Sequence, residues 1–331
     1  MTQPPRRPLD HPRSQLVHQA LLDPAKFRDP ARTAGGEPRA ALALAALETL
    51  WLNTGTRCNI ECRRCYIESS PRNDRLAYLR LADALPFLDE IREAGWPTRA
   101  IGLTGGEPFM NPDVLALLDA CLARGFRVLV LTNAMRPMMR HARALLALRA
   151  RYERDLTLRV SLDHYTAELH EAERGPRSFE TTLAGLRWLL DAGFAACVAG
   201  RTRSGEDTAR LRLGYERLFA ERGLAIDAHD PAALVLFPEM DERADVPEIT
   251  ASCFGQLGVD PNALMCATSR MVVKRRGEER PVVLPCTLLP YDARFELGPT
   301  LADAAGPVAL NHPHCARFCV LGGGSCSGGA D

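Results

Sequence analysis

From residue 48 to residue 237 the chain alternates short β-like runs with helical stretches, and this alternation constrains its fold more than any other feature. Thr49–Asn53, Ala100–Thr104, Phe126–Leu131, Leu156–Leu162, Ala195–Ala199 and Ala233–Phe237 read as strands. Asn111-Pro112-Asp113 reads as an N-cap with Pro at the first helical position, opening a helix over Val114–Arg124 that Gly125 ends. Ser178 is placed to cap Phe179–Ala192 before Gly193, and Glu206–Arg222 runs to Gly223. Parallel neighbours need a crossover connection, so repeated βα units predict a parallel sheet. Six units are too few for a closed eight-stranded barrel. The expected fold is therefore α/β: a partial (β/α)6 barrel of parallel strands spanning residues 48–244, followed by a small Cys-rich C-terminal domain at 245–331.

Residues 1–47 are an N-terminal extension, rich in Pro, Arg and Asp, with one short helix expected near Leu16–Leu22. Ala40–Leu47 reads as a helix packed on the main body. This is also the longest uncharged apolar run, too short to span a bilayer. No apolar stretch follows Arg6 and Arg7, so no secretory signal is read and the expected compartment is the cytoplasm, with no membrane partner. Lys plus Arg and Asp plus Glu number 41 each, which argues against a broad polybasic surface for nucleic acid. In a reducing compartment the 11 cysteines are better explained by metal or chemistry than by disulfides.

The strongest chemical signal is Cys58-Asn-Ile-Glu-Cys62-Arg-Arg-Cys65-Tyr66, directly after the first strand. Loops at the carboxyl ends of parallel strands are where such folds place functional groups. Cys62-x-x-Cys65 alone would be half a zinc site or a redox dithiol. Three thiolates at spacings of four and three suit an iron–sulfur cube, normally held by four cysteines, with one iron left open. Cys121 and Cys197 sit in apolar stripes and read as core residues. Cys253 is unassigned.

These residues resemble the radical S-adenosylmethionine (SAM) superfamily, whose C-x3-C-x2-C motif is matched by Cys58, Cys62 and Cys65 and whose adjacent aromatic is matched by Tyr66. Thr104-Gly105-Gly106-Glu107-Pro108 follows the second strand, where the family places a Gly-Gly-Glu that binds the SAM amino group through backbone and carboxylate. The resemblance covers about residues 48–240. It further implies that Asn133 lines the site, that Ser161 meets the SAM ribose or carboxylate, and that Arg174, after His170, pairs with the SAM carboxylate. The plain alternatives are a strand-terminal Asp163 acting as a helix cap and an Arg on a solvated loop. His164 departs from the Gly that many relatives carry.

By this resemblance the chain is an oxidoreductase or modifying enzyme. It uses a [4Fe–4S] cluster and SAM to make a 5′-deoxyadenosyl radical that abstracts hydrogen from a peptide or a biosynthetic metabolite. The implied electron donor is an external flavodoxin- or ferredoxin-like protein. Cys266, Cys286, Cys315, Cys319 and Cys326 resemble SPASM- or twitch-type extensions, and four of the five are expected to hold a second [4Fe–4S] cluster. Val272–Lys274 and Pro281–Leu284 read as the hairpin of such an extension. The spacings differ from the usual pattern, and a zinc site using His312 and His314 is the competing reading. The competing function is a non-catalytic zinc-binding or scaffold protein. Tyr66–Asp74 is either a cover over the site mouth or a solvated connector.

Overall fold

A computed structural model describes residues 20–326, apart from 153, 154, 203, 204 and 239. Its strands are β1 (Ala41–Leu42), β2 (Thr49–Asn53), β3 (Ala100–Thr104), β4 (Arg127–Thr132), β5 (Leu156–Ser161), β6 (Ala195–Arg201), β7 (Leu234–Phe237), β8 (Ser269–Val273), β9 (Val282–Leu284) and β10 (Val308–Ala309). Between them run α1 (Leu81–Glu93), α2 (Val114–Leu122), α3 (Arg136–Met139), α4 (Ala142–Tyr152), α5 (Ala167–Arg174), α6 (Ser178–Asp191), α7 (Thr208–Glu221), α8 (Ala251–Leu257) and α9 (Met265–Thr268). The main sheet has eight strands in the order β7-β6-β5-β4-β3-β2-β8-β9, unclosed, with every pair parallel except the last. The six strands expected from the alternation run in chain order across it, as a partial barrel requires.

The two faces of the sheet do different work because side chains alternate along a strand. Leu50, Leu52, Ile101, Leu103, Val128, Val130, Leu158 and Val160 pack with the helices in one core. Trp51, Leu129, Met271, Val273 and Leu284, on the other face, pack with the C-terminal segment in a second core. The composition change near residue 245 is thus not a boundary of the sheet: β8 joins it parallel to β2, and the expected hairpin pairs Met271 with Leu284.

Two local expectations, for Ala40–Leu47 and for Ser178, are corrected. Ala40–Leu47 is extended, not helical; β1 pairs antiparallel with β10, and Leu42 and Leu47 are buried while Ala41 and Ala43 are exposed. The helix propensity of alanine yields here to tertiary pairing and a period-two pattern. Asn111 makes the bond expected of a cap before Pro112, its Oδ1 accepting from Asp113 N at 2.8 Å ahead of α2, and its side-chain amide also donates to Thr54 O at 2.9 Å and Leu79 O at 2.8 Å, tying the loop after β2 to the start of α1. Ser178 is the first residue of α6 instead of its cap, and its hydroxyl donates to Gly175 O. The helix expected near Leu16–Leu22 lies largely outside the described residues, and Leu21 makes an antiparallel bridge to Ala244.

Gly185 lets α6 press onto the turn after β4. A Cβ there would lie 1.8 Å from Ala134 O, and Ala134 itself holds a φ of 56°. Thr182, one turn earlier, donates to Asn133 O at 3.1 Å. Gly185→Ala is therefore expected to destabilise the protein by about 1–3 kcal/mol through overpacking, read as a lower denaturation midpoint.

Candidate active site

The strand termini meet at a cavity whose wall follows the period-two pattern. Leu131 and Asn133 face it from β4 and its extension, Arg159, Ser161 and Asp163 from β5 and its extension, and Ala199 and Arg201 from β6. Cys58, Cys62, Cys65, Tyr66, Gly105, Gly106 and Arg174 complete that end. Phe237, Met240, Leu288, Phe318 and Cys326 close the other end with a mostly apolar wall from the C-terminal part of the chain.

The cysteine loop is held in place by backbone contacts. Gly106 N donates to Gly55 O at 2.8 Å and Glu107 N to Arg57 O at 3.1 Å. A Cβ on Gly105, at φ +133°, would lie 2.4 Å from Gly55 O, and one on Gly106 would lie 2.2 Å from Arg57 O. Both glycines are thus required for the strand end to lie flush against the chain entering the cysteines. The amide of Gly106 is committed to Gly55, so the main-chain group this residue can offer a ligand is its carbonyl oxygen, the group an ammonium needs. Farther along, Arg63 N donates to Glu173 O at 2.7 Å and Arg64 pairs with the Glu173 carboxylate at 2.6 Å.

Glu107 stands behind the wall, not on it. Its carboxylate accepts from Thr132 Oγ1 at 2.9 Å, Asn133 N at 2.8 Å and Phe109 N at 3.2 Å. Burial pushes it up to about 7 against the pull of those hydrogen bonds. The carboxylate that the resemblance assigns to a ligand thus also sets Asn133, whose side-chain amide reaches Asn59 Oδ1 at 2.8 Å. Arg174 donates to Asp163 Oδ1 at 2.9 Å, and although burial opposes the charge, Arg174 holds Asp163 below its ordinary range. Asp163 is thus an ion-pair partner on the wall, not the helix cap of the plain alternative. His170 is fully buried, pushed down to about 4 by that burial, and accepts from Asp163 N through Nδ1. It buttresses the wall from behind.

Burial also pushes the Cys58 thiol up to about 12 and raises Cys62. Such thiols surrender their protons to a bound cationic metal. Ser69, 4% exposed, lines the cavity with a hydroxyl that has no hydrogen-bond partner among the described residues. The Tyr66–Asp74 stretch lines the cavity through Tyr66 and Ser69 and is not a free solvated connector. Ile67 is fully buried, and Tyr291 from the C-terminal part donates to its carbonyl at 2.7 Å.

A second, apolar cavity gathers Cys266 from α9, Cys286 from the end of the hairpin, and Cys315 and Cys319 from a π-helix over Cys315–Leu321, with His314 beside them. Burial raises all four thiols, Cys266 to about 11 and Cys286 to about 12. Arg270, fully buried nearby, donates to the carbonyls of Cys266, Ser269 and Ala304 and has no carboxylate partner among the described residues. Among the described residues no three His, Cys, Asp or Glu side chains gather around a single metal-ion position. Cys326 lines the first cavity, not this one. Cys121 is in the core, and Cys253 accepts from Thr250 N at the start of α8. Sequence reasoning missed Arg159, Arg201 and Ser69; the two arginines were signalled as charges inside otherwise apolar strands.

Glu107→Gln replaces an acceptor with a donor facing hydrogen-bond donors. It is expected to cost about 1–3 kcal/mol of stability, measured by denaturation.

Residues 52–202 match the family model described as the radical SAM superfamily. The chain is 33% identical over 144 residues to the antilisterial bacteriocin subtilosin biosynthesis protein AlbA of Bacillus subtilis, covering 43% of this chain and 30% of that protein. It is 35% identical over 138 residues to the AdoMet-dependent heme synthase of Methanosarcina barkeri, covering 41% and 37%. The matches span about a third of these relatives' length. Among solved structures, Streptococcus suis SuiB bound to S-adenosylmethionine superposes with a TM-score of 0.55 at 14% identity, covering 77% of this chain and 63% of that one. SuiB bound to its precursor peptide SuiA gives 0.54 at 13%, with the same coverage. At that identity the likeness is one of fold.

Proposed function

We propose, on the premise that this enzyme carries a radical SAM domain over residues 52–202, that Cys58, Cys62 and Cys65 hold a [4Fe–4S] cluster at which SAM is reductively cleaved. When bound, the reduced cluster supplies the electron that splits SAM into methionine and a 5′-deoxyadenosyl radical, which abstracts hydrogen from the substrate. The observation that carries this reading is the single cavity that brings the three thiols together with Gly105, Gly106, Asn133, Ser161 and Arg174.

Each residue has a role that follows from its position. The three cysteines would supply soft anionic ligands to the cluster, one fewer than a cube normally takes, so that SAM could bind the remaining iron. The glycine pair brings carbonyl oxygens to the SAM ammonium. Arg174, fixed by Asp163, offers its guanidinium to the SAM carboxylate. Asn133 and Ser161 supply polar partners for the ribose. The apolar wall of Phe237, Met240, Leu288 and Phe318 excludes water from the far side, where a reactive carbon radical must be shielded. The substrate is a peptide or a biosynthetic metabolite that sets an apolar group against this wall. The peptide reading is supported by AlbA and SuiA-bound SuiB, the metabolite reading by the heme synthase. A flavodoxin- or ferredoxin-like protein is the electron donor.

Cys266, Cys286, Cys315 and Cys319 are the ligands of a second [4Fe–4S] cluster. Four buried thiols in one apolar cavity make a complete ligand set, and the Arg270 cation beside them suits an anionic centre. This selects four of the five candidates named from the sequence and sets Cys326 aside.

Anaerobic reconstitution with iron and sulfide tests the reading. The wild type is expected to be brown and to release 5′-deoxyadenosine from SAM on reduction. Cys58→Ala, Cys62→Ala and Cys65→Ala should each lose one cluster's iron and all SAM cleavage. Cys266→Ala or Cys319→Ala should lose the other cluster's iron and keep the first. Colourless, zinc-loaded protein that leaves SAM intact would refute the assignment.

A further inference from the structure

We propose that Cys326 is a catalytic thiol of the radical cavity, donating its hydrogen atom to a carbon radical held there. This rests on the proposed SAM cleavage and adds a residue to it. Four cysteines already fill the second cavity, so a fifth is surplus to that site. Leu288 lines both cavities and forms part of the partition between them, and Cys326 stands on the first cavity's side.

Three separate elements fix Cys326. Its carbonyl accepts from Arg159 Nη1 of β5 at 2.7 Å, its amide donates to Met265 Sδ at 3.3 Å, and its Sγ accepts from Thr287 Oγ1 at 3.1 Å. Among the described hydrogen bonds the thiol accepts but does not donate, which leaves its S–H hydrogen uncommitted. The residue is 6% exposed, and burial raises its pKa, so the sulfur keeps its hydrogen. A second observation marks the space as one built for a ligand: the buried hydroxyl of Ser69, partnerless among the described residues, lines the same cavity.

An S–H bond is weaker than the aliphatic C–H and alcohol O–H bonds around it, so a carbon radical takes its hydrogen downhill. In the transfer the S–H bond breaks, a C–H bond forms and sulfur becomes a thiyl radical. One electron from a low-potential one-electron donor, the class that recharges the cluster, and one proton from water restore the thiol. A substrate handled this way leaves at its starting oxidation level with one solvent-derived hydrogen. With no substrate present, the same thiol quenches the 5′-deoxyadenosyl radical.

The test uses reconstituted full-length enzyme in D2O, with SAM, dithionite, no substrate and no added thiol. Wild type is expected to yield deuterated 5′-deoxyadenosine. Cys326→Ser, which keeps the side-chain shape but presents a stronger O–H bond, and Cys326→Ala should yield undeuterated nucleoside at unchanged iron content. Undeuterated nucleoside from the wild type, or equal deuterium in wild type and variants, would overturn the proposal, as would loss of the second cluster's iron in Cys326→Ser. If the wild type makes no 5′-deoxyadenosine at all, the SAM-cleavage reading fails, and this proposal with it.

Discussion

Two backbone hydrogen bonds, Gly106 N to Gly55 O and Glu107 N to Arg57 O, hold the site together. They fasten the end of β3 against the chain that leaves β2 for the cysteines. Neither glycine tolerates a Cβ, because the opposing atoms are main-chain oxygens that cannot move aside without shifting the loop. Glu107 extends the same fastening to β4 through Thr132 and Asn133. A motif that reads as a ligand-binding sequence is thus first a structural clasp, and the ligand surface is what the clasp leaves open.

The second consequence concerns the C-terminal part. β8 enters the sheet beside β2, so residues beyond 245 do not fold apart from the strands. Their apolar side chains cover the face of the sheet that the helices leave bare, and Tyr291 reaches back to hold the segment after the cysteines. Leu288 and Phe318 among them join Phe237 and Met240 in the apolar wall of the first cavity, and the same segment builds the second thiol cavity. The two cavities are therefore coupled by packing through Leu288.

Much of the architecture was legible because it is written in local periods. Strand runs bounded by turn residues, and helices ended by Gly125, Gly193 and Gly223 at positive φ, need no distant partner to be recognised. Ala40–Leu47 was misread because alanine favours helix locally, whereas its extended form depends on β10, more than 260 residues away. The local bond of Asn111 to Asp113 N was legible, whereas its bonds to Thr54 and Leu79 were not, because those partners lie far along the chain.

The sequence by itself determined the α/β class, the chain-order run of the six βα strands and the three-thiol motif, since each is a matter of residue type and spacing along short stretches, whereas the place of β8 beside β2 was not legible. Only the tertiary structure decided which side of a wall each group faces. It hydrogen-bonded Glu107 to Thr132 and Asn133, brought Arg159 and Arg201 to the cavity wall, collected four distant cysteines in one pocket and left Cys326 in another. The physical reason is that orientation depends on which sheet face a side chain occupies and what packs against it, and that information is spread over the whole chain.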